Sequence, residues 1–68
     1  MHTGNVRWFD QRRGYGFIQP AEGPRDIFVH RSALARAGLA RLEPHQAVVF
    51  EVVTKDGHTQ AEDIAVLN

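Results

Sequence analysis

No cysteine occurs among the 68 residues. That removes disulfide staples and thiolate metal sites together. Serine is nearly missing as well, since Ser32 is the only one. A nucleophilic triad would need His30 and Asp26 beside it. Those two bracket a strand, about 13 Å apart along an extended chain. No glycine-rich phosphate loop of the nucleotide-hydrolase type is present. His2, His30, His45 and His58 are scattered and share no metal-ligand spacing. The inventory therefore predicts no enzyme, no cofactor, no metal and no small-molecule substrate. Long apolar runs are also missing, so neither a signal peptide nor a membrane span is expected. The expectation is a soluble cytoplasmic protein with no membrane partner. Net charge is absent too: 8 basic residues balance 8 acidic ones. That counts mildly against nucleic-acid binding, because such domains are often basic.

The charges and aromatics that are present are unevenly placed. Residues 1–31 carry Arg7, Arg12, Arg13, Arg25 and Arg31 against only Asp10, Glu22 and Asp26. Trp8, Phe9, Tyr15, Phe17 and Phe28 lie in the same half, and only Phe50 lies beyond it. A surface for single-stranded nucleic acid needs cations and rings together.

The pattern reads as short strands separated by turns, over one domain spanning residues 1–68. Asn5 to Asp10, Tyr15 to Gln19, Asp26 to His30, Ala47 to Thr54 and Gln60 to Leu67 carry the strand signals. Gly23-Pro24 marks a turn, and Asp56-Gly57 is a favoured hairpin pair. Ser32 to Leu42 is a longer connection with a helical turn near Ala33, stopped at Gly38. Frequent turns between short strands imply an all-β barrel or sandwich. A chain this short buries roughly 60% of its unfolded surface, so its core is thin.

Side chains two apart on a strand share a face. Tyr15 and Phe17 therefore lie opposite Gly14, Gly16 and Ile18. Phe28 and His30 lie opposite Ile27 and Val29. Trp8 and Phe9 are adjacent, so one of them turns inward or sits at a bend. Val6, Ile18, Ile27, Val29, Leu34, Val48, Phe50, Val52, Ile64 and Val66 suffice for a small core. Further rings would overfill it, which places Trp8, Tyr15, Phe17 and Phe28 outside as a binding patch.

On these residues the chain resembles a cold-shock domain. Arg13-Gly14-Tyr15-Gly16-Phe17-Ile18 is similar to that family's first ribonucleoprotein motif, and Ile27-Phe28-Val29-His30 to its second. Gly4-Asn5-Val6-Arg7-Trp8-Phe9 and the following Ser32-Ala33 also fit. The resemblance runs from about Thr3 to Val66. It implies a five-stranded antiparallel barrel of the oligonucleotide/oligosaccharide-binding (OB-fold) type. It implies sequence-tolerant binding of single-stranded RNA or DNA, and an RNA-chaperone action that melts or prevents secondary structure. Carried over by position, Trp8, Tyr15, Phe17, Phe28 and His30 match stacking residues. Arg7 and Arg13 match basic residues at the edge, Phe9 a residue at the margin and Gln60 a polar contact.

Two positions depart from the family pattern. Arg31 and Leu39 stand where aromatics are common. Arg31 is expected to compensate in part, because a guanidinium stacks on a base and pairs with phosphate. Leu39 offers apolar contact only. Weaker binding than in members with both rings is the expectation. An RNA-recognition-motif domain is a poorer match, since its motifs run in the other order and it needs two helices. A protein-docking use of the same aromatic patch is the alternative from another class. A monomer is expected, with a swapped dimer through Ser32–Pro44 as the other option.

Overall fold

The computed structural model describes residues 1–67. Among them, five strands form: β1 (His2–Asp10), β2 (Tyr15–Pro20), β3 (Ile27–His30), β4 (Ala47–Lys55) and β5 (His58–Val66). One helix, α1 (Arg31–Arg36), lies between β3 and β4. The strands close into a barrel in the order β1-β2-β3-β5-β4. Closure removes the unpaired edges that an open sheet would present. The pairing is antiparallel except at one seam, where β3 runs parallel to β5 with Phe28 opposite Gln60.

Two strands begin earlier than the sequence pattern suggests. β1 starts at His2 rather than Asn5, because Thr3 and Gly4 pair with Val49 and Val48 to close the barrel. These polar residues have no apolar alternation to announce them. β5 starts at His58, directly after a turn in which Asp56 and Gly57 have φ of 52° and 79°. Positive φ at both positions matches the right-handed twist of the flanking strands.

The inward faces follow the period of two. Val6, Ile18, Val29, Val48, Phe50 and Ile64 are buried, and Leu34 reaches the core from α1. Ala33, Leu42 and Ala61 join them. Ile27, Val52 and Val66 were expected in the core but are only partly buried against it. Ile27 and Val52 border an open apolar groove with His2, Pro20 and Pro24.

A bulge in β1 decides which rings face out. Val6 pairs with Ile18, but Trp8 pairs with Phe17, so β1 spends one extra residue at Arg7. Without it, strict alternation would send Trp8 inward with Val6. With it, Arg7 and Trp8 are both exposed, and Phe9 returns to pack against the core. An extra residue of this kind re-aims side chains locally. Phe9 can settle inward because its partner across the ladder is Gly16. A Cβ at Gly16 would lie 2.3 Å from the Trp8 carbonyl oxygen and 2.7 Å from the Phe9 Cα. Close approach of β1 and β2 is therefore possible only with glycine there.

Candidate nucleic-acid interface

Three neighbouring strands build one continuous outer face of rings. β1 supplies Trp8, β2 supplies Tyr15 and Phe17, and β3 supplies Phe28 and His30. Phe17 lies directly across from both Trp8 and Phe28, and Tyr15 lies across from His30. Trp8 meets Phe17 and Tyr15 edge-on at 5.3 and 5.5 Å between ring centroids. Tyr15 and Phe28 stack at 5.8 Å, and Phe28 and His30 at 6.4 Å. Phe17 and Phe28 meet edge-on at 5.9 Å. Each ring thus braces its neighbour while leaving part of its own face to solvent. Trp8 is 41% exposed, a large apolar surface to leave in water without a ligand.

His30 does two jobs at once. Its Nδ1 accepts the backbone N–H of Ser32 at 3.1 Å and lies 2.9 Å from the Ser32 hydroxyl. The side chain thereby caps the first turn of α1. An accepting Nδ1 places the proton of the neutral ring on Nε2. The imidazole is held flat beside Phe28, with its donor edge away from the helix.

The cations are arranged around this face, each tied to a local partner. Arg7 Nε donates to Asp26 Oδ2 at 2.7 Å, linking the β1 bulge to the start of β3. Arg13 Nε lies 3.7 Å from Asp10 Oδ2. The Tyr15 hydroxyl first, and then the Asp10 carboxylate, hold the Arg13 guanidinium above its ordinary pKa. Asp10 also accepts the backbone N–H groups of Arg12 and Arg13, which shapes the β1–β2 turn. Arg31 lays its aliphatic stem over Gly14, where a Cβ would lie 2.8 Å from Arg31 Cδ. That stem holds Arg31 at the rim of the ring face beside Tyr15.

Gln60 stands beside Phe28 across the β3–β5 seam. Its Nε2 donates to Glu62 Oε2 at 2.6 Å, and Glu62 Oε1 accepts from Arg36 Nη2, also at 2.6 Å. The Arg36 hydrogen bond holds the Glu62 carboxyl below its ordinary range, against the opposing effect of burial. A carboxyl lowered on folding stabilises the fold above its unfolded pKa and loses that contribution as pH falls through the folded value. Glu62→Gln is therefore expected to lower the thermal midpoint slightly at neutral pH, with the gap to wild type closing as pH falls through and below the ordinary carboxylate range. The contribution is modest because Arg36 is mostly exposed. Melting curves of both proteins across acid pH check this.

The structure brings Trp8, Tyr15, Phe17, Phe28, His30 and Gln60 together on one surface. It sets Arg7, Arg13 and Arg31 at the rim. Phe9 stands apart on the inner side, packed against the core. Leu39, weighed above as a surface contact, is also half-buried against the core. Lys55, Asp56, His58 and Thr59, around the β4–β5 turn, form a wall beside the platform. With Phe28 and Gln60 they line an open groove of about 510 Å³. The parallel seam brings this hairpin to the platform, and no local periodicity reveals such a seam. Among the described residues no cluster of His, Cys, Asp and Glu is placed to hold a metal ion. None of their helices is long and apolar enough to cross a membrane.

Comparison with known proteins gives a consistent picture. Residues 2–67 match the family described as 'Cold-shock' DNA-binding domain. The chain is 44% identical over 66 residues to cold shock protein CspA of Rhizobium meliloti, covering 94% of this chain and 96% of that protein. It is 46% identical over 66 residues to probable cold shock protein y4cH of Sinorhizobium fredii, with the same shares covered. It is 46% identical over 67 residues to cold shock protein CspA of Staphylococcus aureus, covering 98% of this chain and all of that protein (100%).

Proposed function

The chain belongs to the 'Cold-shock' DNA-binding domain family, and from that premise we propose that it binds single-stranded RNA or DNA by stacking bases on Trp8, Tyr15, Phe17, Phe28 and His30. The observation that carries this reading is the unbroken run of ring contacts across β1, β2 and β3. Every base has a π-face, so such a surface tolerates sequence. Arg7, Arg13 and Arg31 at the rim attract phosphates, which positions a strand without reading it. Gln60 and the groove beside it extend the surface past Phe28.

The mode of binding supports an RNA-chaperone role in the cytoplasm. Each base stacked on a ring gains roughly 1–3 kcal/mol. A duplex step is worth about 1.4 kcal/mol. Ring stacking therefore competes with duplex stacking, and binding the open form draws weak secondary structure apart by mass action. Transcription and translation respond to the structures so removed. The barrel closes within one chain, which suits a protein acting as a monomer.

Trp8 is the only tryptophan and sits in the proposed site, so its fluorescence reports binding directly. Titration with oligo(dT) or oligo(U) is expected to quench it. Because Arg7 and Arg13 already face acidic partners, the salt dependence is expected to be shallow. A slope of log K against log salt between about −0.7 and −2 corresponds to one to three neutralised phosphates on a single strand. No quenching at low salt overturns the proposal and favours a protein-docking surface.

A further inference from the structure

The proposed binding mode leaves unexplained why Gln60 is tied to a charged pair. Its amide is held by Glu62, and Glu62 is held by Arg36 of α1. An ionised carboxylate accepts hydrogen bonds and donates none. Gln60 must therefore turn its NH₂ toward Glu62. A flipped amide would set two oxygens against each other at a separation of about 2.6 Å. Arg36 keeps Glu62 ionised, and the geometry alone leaves the flip no partner.

Resting on the stacking function proposed above, we infer that Arg36 and Glu62 are positioning residues that lock the Gln60 amide in one orientation, so that the subsite beside Phe28 distinguishes uracil from cytosine. With one N–H spent on Glu62, Gln60 offers Oε1 and its second N–H to the groove. A base stacked on Phe28 brings its edge to this side chain, because the two residues are paired across the seam. Uracil presents an N–H at ring position 3 and a carbonyl at position 4. Cytosine has the same shape but inverts both, with a lone pair at position 3 and an amino group at position 4. In the pose inferred, with Oε1 facing ring position 3 and the second N–H facing position 4, the locked amide matches uracil at both atoms and opposes cytosine at both. A free amide would rotate and serve either base. The discrimination is modest and local, a preference at one subsite within a sequence-tolerant surface.

The test is the ratio of affinities for oligo(U) and oligo(C), read by Trp8 quenching. The wild-type protein is expected to favour oligo(U). Glu62→Gln supplies a partner that both donates and accepts, so it unlocks the flip while preserving size. It is expected to lower the ratio by about three- to tenfold, the worth of one neutral hydrogen bond. Glu62→Ala is expected to do the same, and Arg36→Lys to retain the ratio. Gln60→Ala lowers it equally, and adding Glu62→Gln to Gln60→Ala gives no further loss, the signature of one residue acting through another. An unchanged ratio in Glu62→Gln and Glu62→Ala, or additive losses in the double variant, overturns the inference. A wild-type protein that binds both oligonucleotides equally overturns it as well. A protein that binds neither overturns the stacking function itself, and so the two failures are told apart.

Discussion

Phe28→Ala is expected to weaken binding of oligo(dT) by about 5- to 150-fold, the equivalent of roughly 1–3 kcal/mol for one base stack. The position is chosen by geometry. Phe28 is the ring that touches Tyr15, Phe17 and His30, and it also stands opposite Gln60. Its removal deletes one stacking platform and loosens the three neighbours that lean on it. The upper part of the range is therefore expected here, with a smaller loss for Phe17→Ala. The two losses will not add in a double variant, because the rings are in contact. Folding is expected to survive. Phe28 lies on the outer face, and the adjacent Val29 is the β3 residue that fills the core. Cross-strand ring pairs are worth about 0.2–1 kcal/mol each, so the thermal midpoint falls only modestly. Fluorescence titration with a parallel melting curve separates the two effects. An affinity within twofold of wild type, in a folded variant, would refute a stacking role for this ring.

That prediction rests on a face assignment that sequence periodicity reached for four of the five rings. Tyr15 and Phe17 alternate with Gly16 and Ile18, and Phe28 and His30 with Ile27 and Val29, so their sides follow from spacing alone. Trp8 does not follow. Counted from Val6 by twos it belongs inside, and the exposed position depends on the extra residue at Arg7. A bulge costs one residue of register and leaves no mark in composition. Crowding of the core placed Trp8 outside, and adjacency required one of the pair to turn inward; that one is Phe9, whose inward turn is the other half of the same event. Gly16 was legible as an unusual residue in a strand. Its physical reason, contact with the β1 backbone, is visible only once β1 and β2 are paired.

Other parts of the site depend on contacts between distant segments. Gln60 was placed by family resemblance, yet its surroundings come from the parallel β3–β5 seam and from Arg36 reaching across from α1. Nothing in the spacing of Arg36 and Glu62 announces an ion pair. Leu39, expected to offer apolar contact only, is half-buried against the core. The strand pattern thus yields faces within a strand, while pairing between strands determines which faces meet.

Phe50→Ala is expected to cost about 3–5 kcal/mol of stability, the largest single effect on the fold. Phe50 is 1% exposed and is the largest of the fully buried side chains. It lies on β4 opposite His2, whose ring stacks on it at 5.9 Å, so it packs where β1 and β4 close the barrel. Truncation leaves a cavity that a rigid closed sheet cannot collapse to fill. A chain of this length has a total stability of about 3–10 kcal/mol. The loss therefore takes from about a third to all of it, and at the lower total a substantial unfolded population is expected at room temperature. The ring platform offers a way to confirm the cause. Phe50 faces inward and touches none of the outer rings named above, so the variant binds normally when folded. Ligand at about 100 times its dissociation constant adds about 2.7 kcal/mol to the folded state. Saturating oligo(dT) is thus expected to restore most of the native circular dichroism of Phe50→Ala. A variant that stays unfolded with ligand in such excess, or one that melts like wild type without it, would contradict this account of the core.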